Sequence, residues 1–287
     1  MSLLDIVVLA LVQGLAELLP VSSSAHVIVA EKLLGLDPSS PPLTLLLVML
    51  HTGTMFAVIA YFWRQWRATY FASAAAFKRF AGRVVLATAL TGAVGLVLMK
   101  VIEKTVFRGV AHAEIENLFG HLEFIAPALA AAGVLILWAS RVAGRGAGKA
   151  GGDAELTLPQ AAVIGAVQGL CLPFRGFSRS GATISTGMLL GVAKARAERF
   201  SFALAVVLTP PVVARELLRL MHAPGVDRAA LGAIALSSLL GAVLAFLAGL
   251  VALRWLSRWL ESGRWYLFGI YCLIAAVAVA LIHRNLG

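Results

Sequence analysis

Six apolar runs, each close to the length a helix needs to cross a hydrocarbon core, leave this chain few folds to choose from. They cover roughly residues 42–62, 84–102, 125–142, 200–220, 231–253 and 265–282, and a membrane span needs about 20 mainly apolar residues. Composition agrees. Of 287 residues 60% are hydrophobic and 13% charged, with a mean hydropathy of +0.91, whereas a soluble domain carries about 25% charged residues. The expected class is an all-α polytopic membrane protein. The formal charge of +10 does not point to nucleic acid, because Lys and Arg lie mostly in the short segments between apolar runs, as the positive-inside bias dictates. Anionic lipid headgroups are the partners such segments meet. No basic segment precedes the first apolar run, so no cleavable signal peptide is expected. Cys171 and Cys272 lie in apolar surroundings and read as buried structural thiols, without a disulfide framework or metal cluster.

Two further apolar stretches, about 3–35 and 158–192, are interrupted by "ELLPVSSSAH" and "LPFRGFSRSGATIS". Non-helical backbone at membrane depth is tolerated only where protein or a water-filled cavity covers it. Both stretches are therefore expected to be re-entrant helical hairpins beside about six transmembrane helices. They also resemble each other. "QGLAELLPVSSSAH" starts at Gln13 and "QGLCLPFRGFSRSGAT" starts 155 residues later, at Gln168. Three spans separate the copies and three follow, so the copies enter from opposite sides. That is an inverted-topology repeat, an arrangement that places a binding site near the midplane where discontinuous helices meet. The expected organisation is one membrane domain, 1–287, with a first repeat of about 1–142, a flexible cytoplasmic linker of about 143–157 ("GRGAGKAGGDAE" at its heart) and a second repeat of about 158–287. With segment 64–83 inside, 14 of the Lys and Arg residues are cytoplasmic and 8 external, which sets the N-terminus and the first hairpin outside. The acidic segment 103–124 is then external too.

The interruptions hold the chemistry. Pro20 lacks a backbone donor and disfavours helix at Leu19, so a helix ends there and Ser22 or Ser23 is placed to cap the next one. Ser23 and His26 then share a face near a helix N-terminus. In the second break Ser178, Arg179, Ser180 and Gly181 precede another helix. A helix N-terminus offers unpaired N–H groups and partial positive charge. Two of them with Arg179 between describe a pocket for a strongly anionic group, phosphate above all, whose oxygens Arg matches bidentately. Glu17 is costly at membrane depth and needs a partner; Arg179 and a divalent cation are the two expected. The residues alone also allow a purely structural Glu17–Arg179 pair, a packing histidine at 26 and serines that only cap or pack. His51, mid-span, reads equally as packing or pocket-lining, and Gln13 and Gln168 as interhelical hydrogen bonders.

Together with "LHTGTMFAVIAYFWR" (50–64) and "AERFSFALAV" (197–206), the two motifs resemble the bacterial undecaprenyl-diphosphate phosphatase family of the bacitracin-resistance type, over nearly the whole chain. The resemblance implies hydrolysis of an isoprenyl diphosphate lipid to the monophosphate carrier, in the bacterial inner membrane, at a pocket open to the periplasm. It also implies a divalent cation, usually Mg²⁺, held by Glu17, and a homodimer. The family's functional positions fall on Gln13, Glu17, Ser22, Ser23 and His26, and on Ser178, Arg179, Ser180, Gly181 and Thr183. Glu17, Ser23, His26 and Arg179 are expected to be catalytic, with Ser23 or His26 the nucleophile, and the others to bind substrate. Two features depart from the family pattern: Gln13 replaces its first acid, a substitution the motif admits, and Arg175-Gly176 stands where Pro-Gly is usual. A transporter or lipid flippase on the same repeat is the alternative.

Overall fold

The computed structural model describes residues 1–37, 40–106, 122–145, 155–222 and 228–286. Among them are ten helices and no strand: α1 Leu3–Leu18, α2 Ser23–Leu33, α3 Pro41–Thr69, α4 Ala74–Val106, α5 Leu122–Arg145, α6 Leu158–Leu170, α7 Arg179–Leu189, α8 Lys194–His222, α9 Arg228–Glu261 and α10 Tyr266–Leu286. Six are long and apolar enough to cross a membrane, α3, α4, α5, α8, α9 and α10. They are the six runs expected, each extended beyond its apolar core. The central part of the expected linker (146–154) and most of the acidic segment (107–121) lie outside the described residues.

The element order repeats: two short helices and three long ones, then the same again. Local signals repeat with it. The first helix of each half opens on a capping box, Ser2 with Asp5 and Thr157 with Gln160, in which each side chain satisfies a backbone donor that the first turn leaves orphaned. Each then crosses a long helix from the other half at close range. A Cβ on Gly14 would stand 2.6 Å from Ala248 of α9, and one on Gly169 2.8 Å from the Thr91 carbonyl of α4. Small residues at such crossings let backbones approach in a medium where apolar burial gives helices no reason to associate.

The core lies where α3, α8 and α9 meet α1 and α7. Phe62, Phe200, Phe202, Leu253 and Trp265 are buried there, and Trp265 donates its indole N–H to Ser185 Oγ at 3.1 Å, the partner a buried indole needs. Of the α3 and α9 spans 44% is buried, against 17% of α4. The outward residues of α4, such as Val85, Leu96 and Val97, therefore face the surroundings and suit lipid contact. At one end Arg79 and Arg83 of α4 clamp Glu155, just ahead of α6, at 3.0 and 2.8 Å. The hydrogen bonds from Arg79 and then Arg83 hold the Glu155 carboxyl down to about 2.

Candidate active site

The two interruptions meet. α1 ends at Leu18, and α2 resumes at Ser23 after a turn through Pro20. α6 ends at Leu170, and α7 resumes at Arg179. Glu17, in the last turn of α1, faces Arg179, the first residue of α7. Arg179 Nη2 donates to Glu17 Oε1 at 2.8 Å, with side-chain exposures of 24% and 17%. Glu17 Oε2 accepts from Ser23 Oγ at 2.5 Å and from Gln13 Nε2 at 3.3 Å, while His51 Nε2 stands 3.9 Å away. His51 Nδ1 donates to the Leu47 carbonyl at 2.8 Å, which turns Nε2 toward the carboxylate. His51 thus lines the site.

Arg179 Nη1 is buried and has no hydrogen-bond partner among the described residues. A buried charged donor left unmatched is costly, and this one sits beside the only arrangement of Glu, Ser and Arg that the two motifs bring together. The position suits an anionic ligand with oxygens to offer.

Ser22 supplies the strain. Its φ of 67° and ψ of 95° make it the one non-glycine residue at positive φ among the described residues, a conformation that costs about 1–3 kcal/mol and persists only where its surroundings impose it. Of the two expected caps of α2, Ser22 or Ser23, Ser22 takes the N-cap position but makes no side-chain cap bond. With this backbone its Oγ pairs instead with Ser24 Oγ at 3.3 Å. Ser178 does cap α7, accepting from Gly181 N at 3.2 Å.

The remaining expected residues are engaged within the protein. Ser180 Oγ donates to the Leu19 carbonyl at 3.3 Å, tying the second break to the first. Thr183 bonds the Arg179 carbonyl at 2.8 Å and shares a hydrogen bond with Ser201 at 2.6 Å, fully buried. A Cβ on Gly181 would press on Ile136 and Ser178. These three pack the start of α7 and hold Arg179 from behind. Gln168, the counterpart of Gln13, donates to Thr91 at 3.1 Å away from the site. Arg175 is exposed, within electrostatic range of Glu31.

His26 is held at both ring nitrogens. Nδ1 meets the Ser22 carbonyl at 2.8 Å, and Nε2 meets the Tyr271 hydroxyl of α10 at 2.7 Å. A carbonyl oxygen only accepts, so in the neutral ring Nδ1 carries the hydrogen and the Nε2 lone pair accepts from the phenol. Sequence reasoning did not single out Tyr271. It sits in "YLFGIYCLIAAV", where a tyrosine reads as an interfacial anchor, and no local pattern distinguishes the two roles.

Among the described residues no group of three or more His, Cys, Asp or Glu could hold a metal ion. The donor set present is one carboxylate with hydroxyls. It fits a hard cation that takes one protein oxygen and completes its shell with water and substrate phosphate, and it does not fit a cation held by protein ligands alone.

Comparison with known proteins places this geometry in context. The family described as Bacitracin resistance protein BacA matches residues 6–278. The chain is 60% identical over 277 residues to a protein of Acinetobacter baylyi named undecaprenyl-diphosphatase 2, covering 95% of each. It is 35% identical over 288 residues to a Burkholderia pseudomallei protein named undecaprenyl-diphosphatase 1, covering 96% of this chain and 95% of that one. A Burkholderia thailandensis protein named undecaprenyl-diphosphatase 2 is similar to the same extent.

Proposed function

This chain belongs to the bacitracin resistance protein BacA family, and from that premise we infer that it hydrolyses undecaprenyl diphosphate to undecaprenyl phosphate and inorganic phosphate. That reaction recycles the carrier lipid of cell-wall synthesis and confers bacitracin resistance. The observation that carries the assignment to a site is the constellation of Ser23 and Arg179 on the two oxygens of Glu17.

The steps follow from what those groups can do. The diphosphate enters against Arg179, whose unmatched Nη1 takes a phosphate oxygen and stabilises charge that develops there in the transition state. The start of α7, packed from behind by Thr183, Ser180 and Gly181, fixes the guanidinium. Ser23 Oγ attacks the terminal phosphorus, forming a phosphoserine as the bond from that phosphorus to the bridging oxygen breaks, and the lipid monophosphate leaves. Glu17 accepts the Ser23 proton, because its Oε2 is the acceptor already in place. Glu17 passes that proton to the departing lipid monophosphate, then takes one from the attacking water and returns it to Ser23 Oγ as inorganic phosphate leaves and Ser23 is restored. His26 is the less suited base or nucleophile, since the lone pair such a role needs is directed to Tyr271. A divalent cation, Mg²⁺ in the first instance, would be held by Glu17 with substrate oxygens and would neutralise phosphate charge. Gln13, hydrogen-bonded to Glu17, orients the carboxylate.

The re-entrant reading of α1–α2 and α6–α7, with the polar centre at membrane depth, is supported by helices too short to cross and by the Pro20 break. The distribution of Lys and Arg supports a pocket facing the periplasm, and the family resemblance supports a homodimer.

The test is phosphate release from detergent-solubilised protein given a long-chain isoprenyl diphosphate, with and without Mg²⁺. Glu17→Ala and Arg179→Ala should each lower the rate by about 10²–10³, with the double variant little worse than either, as groups acting as a unit behave. No release by well-folded wild-type protein with any divalent metal would sink the hydrolase and favour transport.

A further inference from the structure

The first break is held by the last helix. Two consecutive residues of α10 reach it: Cys272 Sγ donates to the Pro20 carbonyl at 3.3 Å, and the Tyr271 hydroxyl meets His26 Nε2 at 2.7 Å with the two rings stacked. His26 in turn holds the Ser22 carbonyl twice, through Nδ1 at 2.8 Å and through its own backbone N–H at 3.4 Å. Ser22 is the positive-φ residue, and the next residue is Ser23. The chain of contacts therefore runs from Tyr271 through His26 to the strained peptide that aims Ser23 Oγ at Glu17.

We propose that Tyr271 is a positioning residue of the reaction, which fixes the His26 ring so that its Nδ1–H locks the Ser22 carbonyl and presents Ser23 to Glu17. The inference rests on the functional reading above and deepens it. The imidazole works as a strut and the phenol as its anchor. Stacking sets the plane of the ring, and the hydroxyl sets which nitrogen carries the hydrogen. Loss of the hydroxyl frees the ring to turn and lets Ser22 relax out of its left-handed conformation. Ser23 is then misplaced while the phosphate-binding Arg179 stays where it is.

Tyr271→Phe keeps the stacked ring and removes only the anchor. With an isoprenyl diphosphate, kcat should fall about tenfold while KM stays within about twofold, since misplacement of a reacting group acts on the chemical step. Glycine adopts the Ser22 conformation without strain, so in a Ser22→Gly background the same Tyr271→Phe change should cost less than about threefold. A structural role for Tyr271 would lower activity in both backgrounds alike. Nitrogen-15 spectra of histidine-labelled wild-type protein, assigned with His26→Gln, give a readout free of any variant's folding: at neutral pH His26 should carry its hydrogen on Nδ1 and show a hydrogen-bonded, unprotonated Nε2. A hydrogen on Nε2, equal kcat in Tyr271→Phe and wild type, or an equal loss in the two backgrounds would each overturn the proposal. Wild-type protein that releases no phosphate would overturn the functional reading and this inference with it. That result is distinguishable from an active wild type matched by an equally active Tyr271→Phe.

Discussion

The two interruptions start from the same Gln-Gly-Leu and end in different trades. In the first, Gln13 is hydrogen-bonded to the Glu17 carboxylate, and a short turn forces Ser22 to positive φ with no cap on the helix that follows. In the second, Gln168 is hydrogen-bonded to Thr91 of α4, and a longer loop reaches Ser178, which caps α7 with its side chain. One copy holds backbone strain and brings Ser23 to the Glu17 carboxylate, while the other caps its second helix and supplies Arg179 to the same carboxylate. Only one copy of a repeated element needs to be unrelaxed for chemistry. The other serves best as a rigid mount, because a catalytic group is only as well placed as what supports it.

That contrast can be broken by exchange of the same mutation between the two copies. Gln168→Ala removes a fully buried amide and leaves Thr91 without that donor. Stability should fall by about 1–3 kcal/mol, read as a lower Tm, with phosphate release per folded molecule within about twofold. Gln13→Ala, an equally buried amide, should lower Tm by a similar amount and in addition lower phosphate release about tenfold through a misoriented Glu17. Equal effects on both readouts would abolish the distinction. A smaller effect sharpens it. Ser178→Ala should cost about 1 kcal/mol, the usual value of a side-chain cap, whereas Ser22→Ala, with no cap to lose and only the 3.3 Å contact to Ser24 Oγ, should cost less, about 0.5 kcal/mol. The smallest effect concerns the clamp ahead of the second copy. Glu155→Gln removes an exposed carboxylate from between two arginines and should lower Tm by no more than about 2 °C. Because folding depresses the Glu155 pKa to about 2 from its ordinary value of 4.5, this contribution is complete above the unfolded value. The Tm difference from wild type should therefore shrink as pH falls from about 4.5 toward 2.

Much of this was legible in the chain. Span length is set by bilayer thickness, so six apolar runs became six long helices. An acid at membrane depth must be paired, so Glu17 pointed to Arg179 across 162 positions. What stayed hidden depends on which way a side chain turns within an element correctly placed. Thr183 and Ser180 belong to the expected motif, and the structure directs their hydroxyls into the protein. Ser22 occupies the expected N-cap position, but the Pro20 turn gives it a backbone from which its hydroxyl cannot reach the helix N–H groups. Tyr271 and His51 lie in apolar runs where periodicity records only that a span continues. Their roles depend on the rotation of α10 and α3 about their axes, which the packing partners determine.

Past the Pro20 break the Leu19 carbonyl accepts from Ser180 Oγ as well as from the Val21 N–H, and the Pro20 carbonyl accepts from Cys272 Sγ, so side chains from the far half of the chain complete the turn. Both donors follow the first motif in the chain, by 161 and 252 positions. During synthesis the first motif therefore precedes the donors that complete its turn. A product truncated ahead of α7 would carry every residue of the first motif and still lack both supports.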